Sequence, residues 1–72
     1  MPFIKIGPHK YNAIEVKDIQ PDMKILLDRL ITGRVISCTK TSRNGWYEII
    51  LETTSGRYLA QKRYSTLVGL LK

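Results

Sequence analysis

The chain has 72 residues, with twelve Lys and Arg against six Asp and Glu, a net charge of +6 and a pI near 9.8. A chain this short buries only about 60% of its unfolded surface, so we expect one domain, residues 1–72, with a small core. The single cysteine, Cys38, excludes an intramolecular disulfide and favours a reducing cytoplasm. Neither an apolar run of about 20 residues nor the pattern of a signal peptide is present, so we expect no membrane association.

The N-terminal part of the sequence predicts two short strands. Residues 1–6 form the first, which Gly7-Pro8 ends, because proline cannot continue a hydrogen-bonded ladder and glycine permits a turn. Residues 13–17 form the second, because apolar and charged residues alternate with a period of two.

The next segment, residues 23–31, allows two predictions. Its apolar residues fall at helical spacing, with Pro21 acceptable in a first turn and Gly33 as a stop; they are Met23, Leu26, Leu27, Leu30 and Ile31. Alternatively, residues 23–27 form a short buried strand, Asp28-Arg29 a turn and residues 31–41 the next strand, which the β-branched content favours. The pattern alone does not decide between them.

Residues 34–64 predict a three-stranded antiparallel meander. Turn signals lie at residues 43–45 and 54–56, and each contains a glycine between β-rich runs. If each loop has three residues, Ser42 faces Trp46 and Thr53 faces Arg57. This register places Glu48 between Lys40 and Lys62 as a ladder of alternating charge.

The same register assigns the side chains of the meander to two faces. One face carries Val35, Ser37, Thr39, Tyr47, Ile49, Leu51, Leu59 and Gln61, and the other carries Ile36, Cys38, Lys40, Trp46, Glu48, Ile50, Glu52, Tyr58, Ala60, Lys62 and Tyr64. We expect Ile49 and Leu51 to be buried beside Val35 and Leu59. The second face also holds apolar residues, so we expect the N-terminal segment or the tail to cover it, with a partner or a second copy of the chain as the alternative. The apolar tail, residues 65–72, predicts a closing strand in preference to a short helix.

Residues 16–26, followed by Gly33-Arg34-Val35, resemble the opening of small Src-homology-3-like barrels. Those domains often run from a strand through an Asp-apolar-x-Pro-Gly turn and a short strand to a Gly-Arg-Val strand and two hairpins. The resemblance covers about residues 16–71, at the level of fold pattern, and implies an all-β barrel built on the meander. Asp22 stands in place of the usual glycine and residues 27–31 are unusually apolar, so an α+β fold with a helix at about 21–31 remains the alternative.

Enzymatic chemistry has little support in the sequence. The sole histidine, His9, lies beside Pro8 in a predicted turn, and Cys38 occupies a strand position where a thiol usually acts as a small hydrophobe. One His and one Cys do not supply a zinc site, and no glycine-rich phosphate loop is present. We therefore predict a protein that is not an enzyme and needs no metal or cofactor.

Basic and aromatic residues converge at one end of the predicted meander. From Arg34 onward, and counting Arg29 at the boundary, the sequence has eight basic residues and only two acidic ones. Those gathered at this end are Lys40, Arg43, Trp46, Lys62, Arg63 and Tyr64. Cations neutralise phosphates and aromatic rings stack on unpaired bases, so these residues predict a nucleic-acid-binding site, with DNA and RNA both open.

The predicted function is thus a cytoplasmic accessory or regulatory domain that binds nucleic acid, of a size that suits a phage or mobile-element protein. The alternative is a protein-interaction module that binds an acidic protein or pairs through an edge strand. Self-association into a homodimer also stays open.

Overall fold

A computed structural model describes residues 2–28 and 31–71, which form one antiparallel sheet of seven strands. The strands are β1 (Phe3–Ile6), β2 (His9–Glu15), β3 (Lys24–Asp28), β4 (Ile31–Lys40), β5 (Trp46–Thr53), β6 (Gly56–Arg63) and β7 (Leu67–Leu71), with a 3-10 turn at Val16–Asp18. Their spatial order is β1-β2-β7-β3-β4-β5-β6, so the sheet is open and β1 and β6 are its edges. The all-β prediction is confirmed.

The alternative helix at about 21–31 is wrong for the residues described. Residues 24–28 form β3, which pairs with β4 on one side and with β7 on the other. Ile25, Leu26 and Leu27 are all buried. Both faces of β3 are therefore covered, which explains an apolar run that also fits helical spacing. Arg29 and Leu30, part of the predicted helix and turn, lie outside the described residues.

The N-terminal strands agree with the sequence prediction in number but not in length. Gly7 turns the chain with a φ of 59°, and β2 already begins at His9, which therefore lies in a strand and not in a turn. β2 ends at Glu15, where the 3-10 turn Val16–Asp18 begins, so the predicted strand 13–17 extends too far. The physical reason is that Val16 and Lys17 donate backbone hydrogen bonds to Thr66 and Tyr64 and not to a strand neighbour.

The predicted closing strand in the tail is confirmed as β7, but it lies inside the sheet and not at its edge. Ile14 of β2 and Ile25 of β3 face Val68 and Leu70 of β7 on its two sides. A Cβ atom at Gly69 would lie 3.1 Å from the Cβ of Leu26 and 3.4 Å from the Cδ1 of Ile4. The tail therefore joins the N-terminal hairpin to the rest of the sheet.

One core cluster runs through the sheet. Its buried members are Val16, Ile19, Ile25, Leu27, Val35, Ile49, Leu51 and Val68. The predicted burial of Ile49 and Leu51 beside Val35 is confirmed, because both have no exposed surface. The predicted position of Leu59 opposite Leu51 is wrong: Leu59 faces Ile50, and it is 59% exposed.

The meander forms as predicted, but both hairpins differ from the predicted register by one residue. In the first, Lys40 faces Tyr47, because the loop has four residues, 42–45. In the second, Thr53 faces Gly56, because the loop has two residues, 54–55. Lys40 and Lys62 still flank one residue of β5, but it is Tyr47 and not Glu48. The predicted charge ladder is therefore wrong.

The one-residue shift also changes the two faces of the meander. Cys38 and Ala60 now flank Ile49 and belong to the core side, whereas Ser37 and Leu59 flank Ile50 on the outer side. A β-bulge between Val35 and Ser37 adds a further shift in β4. Val16 and Val68, from the N-terminal part and the tail, pack in the core with Ile49, and Cys38, which was predicted on the second face, donates to the Val16 carbonyl.

Asp22, which stands where the expected turn usually has glycine, adopts a left-handed backbone conformation. Its φ is 72°, in the left-handed region that glycine usually occupies. The backbone N–H of Asp22 donates to the carbonyl of Val35, and its carboxylate accepts a hydrogen bond of 2.7 Å from Arg34. The turn before β3 therefore forms without the usual glycine, and a side chain on β4 holds the residue that replaces it.

Candidate nucleic-acid interface

The loop between β4 and β5 is built around the hydroxyl of Thr41. This oxygen accepts a hydrogen bond of 3.1 Å from the Arg43 N–H and donates one of 3.0 Å to the carbonyl of Trp46. The backbone N–H of Thr41 also donates to the Trp46 carbonyl, at 3.0 Å, and Gly45 completes the loop with a φ of 83°. These bonds fix the backbone that carries Arg43 and Trp46.

Arg43 lies over the ring of Trp46, with 4.4 Å between the guanidinium carbon and the ring centroid. Arg43 is exposed and Trp46 is half-buried. A cation on an aromatic face at this distance is attracted by the electron-rich face of the ring. The loop therefore presents a flat, positively charged stack to solvent.

Tyr64, which follows β6, lies beside Gly45 of the same loop. Its N–H donates to the Gly45 carbonyl at 2.9 Å, and its own carbonyl accepts from the N–H of Lys17 at 3.1 Å. Its ring passes so close to Gly45 that a Cβ there would be in van der Waals contact with it, at 3.6 Å. The side chain is still 46% exposed, so one aromatic surface remains open to a ligand.

A cleft of about 280 Å³ opens at this end of the sheet. Four of the six predicted site residues line it, namely Lys40, Arg43, Trp46 and Tyr64. The other two, Lys62 and Arg63, lie opposite Tyr47 and Trp46 on β6 and are adjacent to the cleft without lining it. The structure therefore brings all six predicted residues to one end of the sheet.

The charges at this end differ from those elsewhere. Arg34, at the other end of the meander, forms ion pairs with Asp22 and Glu52 at 2.7 and 3.0 Å. Within the described part of the chain, Lys40, Arg43 and Arg63 form no ion pair. The positive charge of the cleft is thus only partly neutralised by the protein itself.

Two residues of the cleft, Lys17 and Tyr47, were not among the predicted site residues. Lys17 reaches it because the 3-10 turn is bonded to Tyr64, a contact across 47 positions that no local pattern reveals. Its ammonium lies 3.2 Å from the Glu15 carboxylate, and this hydrogen bond raises the pKa of Lys17. Tyr47 lines the cleft because the loop between β4 and β5 has four residues, one more than the sequence predicted.

Cys38 is half-buried, and its Sγ donates to the Val16 carbonyl at 3.5 Å. Burial raises the pKa of its thiol, which lowers the fraction of reactive thiolate near neutral pH. Among residues 2–28 and 31–71, no group of three or more His, Cys, Asp or Glu side chains is arranged to hold a metal ion. The same residues contain no helix that is long and apolar enough to cross a membrane.

No protein-family model, no curated protein and no solved structure matches this chain.

Proposed function

We propose that this protein is a cytoplasmic accessory or regulatory domain, without enzymatic activity, that binds nucleic acid through the cleft between the β4–β5 loop and Tyr64. The observation that carries the proposal is the stack of Arg43 on Trp46 together with Lys40 and Arg63, which form no ion pair with the described residues. Nucleic acids offer both groups that such a surface binds, namely phosphates and aromatic bases.

The roles of the residues follow from their positions. Lys40 and Arg43 in the cleft, with Lys62 and Arg63 beside it, neutralise phosphates and release counterions. The exposed Tyr64 ring offers a surface on which an unpaired base stacks, and the Arg43 guanidinium extends the Trp46 surface in the same way. Because the aromatic surfaces act on unpaired bases, the proposal favours single strands over duplexes.

We further propose that the fold is a small Src-homology-3-like barrel in which the sheet curls around the core cluster. Three features support this fold: the left-handed turn at Asp22, the two hairpins of the meander, and the 3-10 turn bonded to Tyr64 and Thr66. The last feature brings the ends of β2 and β6 together across the core.

A salt titration of binding to short oligonucleotides tests the proposed function. Replacing Lys40, Arg43, Lys62 or Arg63 singly by glutamine should weaken binding to any sequence and reduce the slope of log K against log salt by about one unit. Arg34→Gln is the matched control. Its guanidinium is already paired with two carboxylates, so its removal should leave the salt slope nearly unchanged.

Aromatic stacking is tested separately with Tyr64→Ala and Trp46→Ala on single-stranded and double-stranded oligonucleotides of the same sequence. Each loss should weaken single-strand binding by about 1–3 kcal/mol and duplex binding by less. Near-ultraviolet and far-ultraviolet circular dichroism establish that both variants are folded. If the folded parent protein binds neither oligonucleotide at low salt, the nucleic-acid proposal fails.

A further inference from the structure

The two edges of the sheet differ in length and regularity. β1 has four residues, whereas β6 has eight and pairs with β5 from Gly56 to Arg63 without any register shift. β6 contains no proline, and neither a described strand nor a bulge blocks its outer side. A long regular edge of this kind is a template for one more strand.

The outward hydrogen-bonding groups of β6 can be assigned from one bond. The Tyr64 N–H donates to the Gly45 carbonyl. In an antiparallel pair the backbone groups of every second residue point toward the partner strand, so those of the even-numbered residues of β6 point toward β5. The N–H and C=O groups of Arg57, Leu59 and Gln61 and the N–H of Arg63 therefore point away from β5, while the Arg63 carbonyl accepts a hydrogen bond of 3.1 Å from the Thr66 N–H. Their side chains are exposed, and Leu59 adjoins the half-buried Ile50 on the outer face.

We propose that the β6 edge binds an extended, acidic segment of a partner protein, which adds an eighth strand to the sheet. The backbone N–H and C=O groups of Arg57, Leu59 and Gln61, together with the N–H of Arg63, supply the hydrogen bonds. Leu59 supplies an apolar contact, and the two arginines attract carboxylates at either end. This interface adjoins the oligonucleotide surface and shares Arg63 with it, but it extends beyond the cleft, because neither Arg57 nor Leu59 lines that cleft.

The charge of β6 selects among possible strands. Arg57, Lys62 and Arg63 are basic and the strand has no acidic residue, so an antiparallel second copy would bring six like charges together. A net charge of +6 on each chain adds to this repulsion. An acidic strand meets attraction at the same positions, so the charges that oppose self-association favour this partner.

The test uses a synthetic peptide, acetyl-Glu-Thr-Thr-Thr-Val-Thr-Glu-amide, whose two glutamates face Arg63 and Arg57 and whose valine faces Leu59 in an antiparallel arrangement. In amide hydrogen exchange measured by NMR, saturation with the peptide should slow exchange at Leu59 and Gln61. Arg57→Glu should weaken peptide affinity about fivefold. The matched control Lys5→Glu makes the same charge change on β1 and should weaken the affinity far less.

Two altered peptides separate strand addition from nonspecific attraction. A peptide with lysine in place of both glutamates should not bind, nor should one N-methylated at its third and fifth residues, which cannot donate to β6. Equal binding of either peptide would overturn the proposal, as would unchanged exchange at Leu59 and Gln61. Sedimentation showing a dimer in which Leu59 is protected without peptide would identify a second copy as the occupant and also overturn it.

Discussion

The two ends of the meander contain similar residues in opposite electrostatic situations. At one end, Arg34 on β4 reaches both the Asp22 carboxylate before β3 and the Glu52 carboxylate on β5. At the other end, Arg43 lies on the ring of Trp46 and has no carboxylate partner among the described residues. The first arginine connects three segments of the fold, and the second presents its charge to solvent.

This difference shows why net charge alone does not locate a binding surface. Arg34 and Lys17 are partly neutralised by the carboxylates they contact, so they contribute less attraction for a polyanion than their number implies. Lys40, Arg43 and Arg63 retain more of their charge, because they form no ion pair with the described residues. This contrast between the two ends depends on the core, because the core fixes the register of the strands that connect them.

The largest expected effect is at Leu51, in the middle of the meander. Leu51→Ala should lower the free energy of unfolding by about 2–5 kcal/mol, because it leaves a cavity between Val35 and Tyr58. For a domain this small, such a loss is enough to disorder both ends. Leu59→Ala on the adjacent strand is the control and should cost less than about 0.5 kcal/mol, because its side chain is mostly exposed. Urea denaturation compares them, and equal losses would contradict the register.

Leu51 and Leu59 also show how far the sequence could predict the fold. β-rich runs and glycine-bearing turns revealed the strands of the meander, but loop length sets the register, and Thr41 and Thr53 close their loops with side-chain hydrogen bonds. The two errors in loop length had opposite signs, so Lys40 and Lys62 still flank one residue of β5. For that reason Lys40 and Lys62 lie close together as predicted, whereas Leu59 lies on the opposite face from the predicted one.

The tail and the 3-10 turn were harder to predict, because their positions depend on distant contacts. The pattern of residues 67–71 indicated a strand, but nothing local indicated that it lies between β2 and β3. Lys17 reaches the cleft through the same long-range connection. Hydrophobic periodicity reports which residues are buried, and it does not report which strands are neighbours.

The second prediction concerns Gly33, at the Arg34 end. A Cβ atom at this position would lie 2.5 Å from the carbonyl oxygen of Glu52, closer than a carbon and an oxygen can approach. Gly33→Ala should therefore push β4 and β5 apart and cost about 1–3 kcal/mol in unfolding free energy. Thr32→Ala, at an exposed position of β4, is the control. Gly7→Ala is unsuitable, because the positive φ of Gly7 would add backbone strain of its own. A Gly33→Ala variant as stable as the parent protein would show that the strands are less closely spaced.

The third prediction separates backbone strain from the ion pair at Asp22. Asp22→Gly removes the ion pair with Arg34 but relieves the left-handed backbone, whereas Asp22→Ala removes the ion pair and keeps the strain. The alanine variant should be less stable than the glycine variant by about 1 kcal/mol. Asp22→Asn tolerates the same backbone and isolates the contribution of charge. Thermal denaturation ranks the three, and equal stability of the alanine and glycine variants would argue against a left-handed residue here.

The smallest effect is expected at Cys38, which tests how tightly the core packs around its thiol. Burial raises the pKa of this thiol above its value of about 8.5 in an unfolded chain. The folded protein therefore retains the proton more strongly, and this contribution to stability is complete below about pH 8.5 and is lost as the pH rises through the folded pKa. Cys38→Ala lacks this contribution, so the difference in unfolding free energy between parent and variant should shrink from pH 7 to pH 9.5. Alkylation by iodoacetamide should likewise be slower in the folded protein than in urea, and a folded thiol that reacts as fast as the unfolded one would mean that the core around Cys38 is open to solvent.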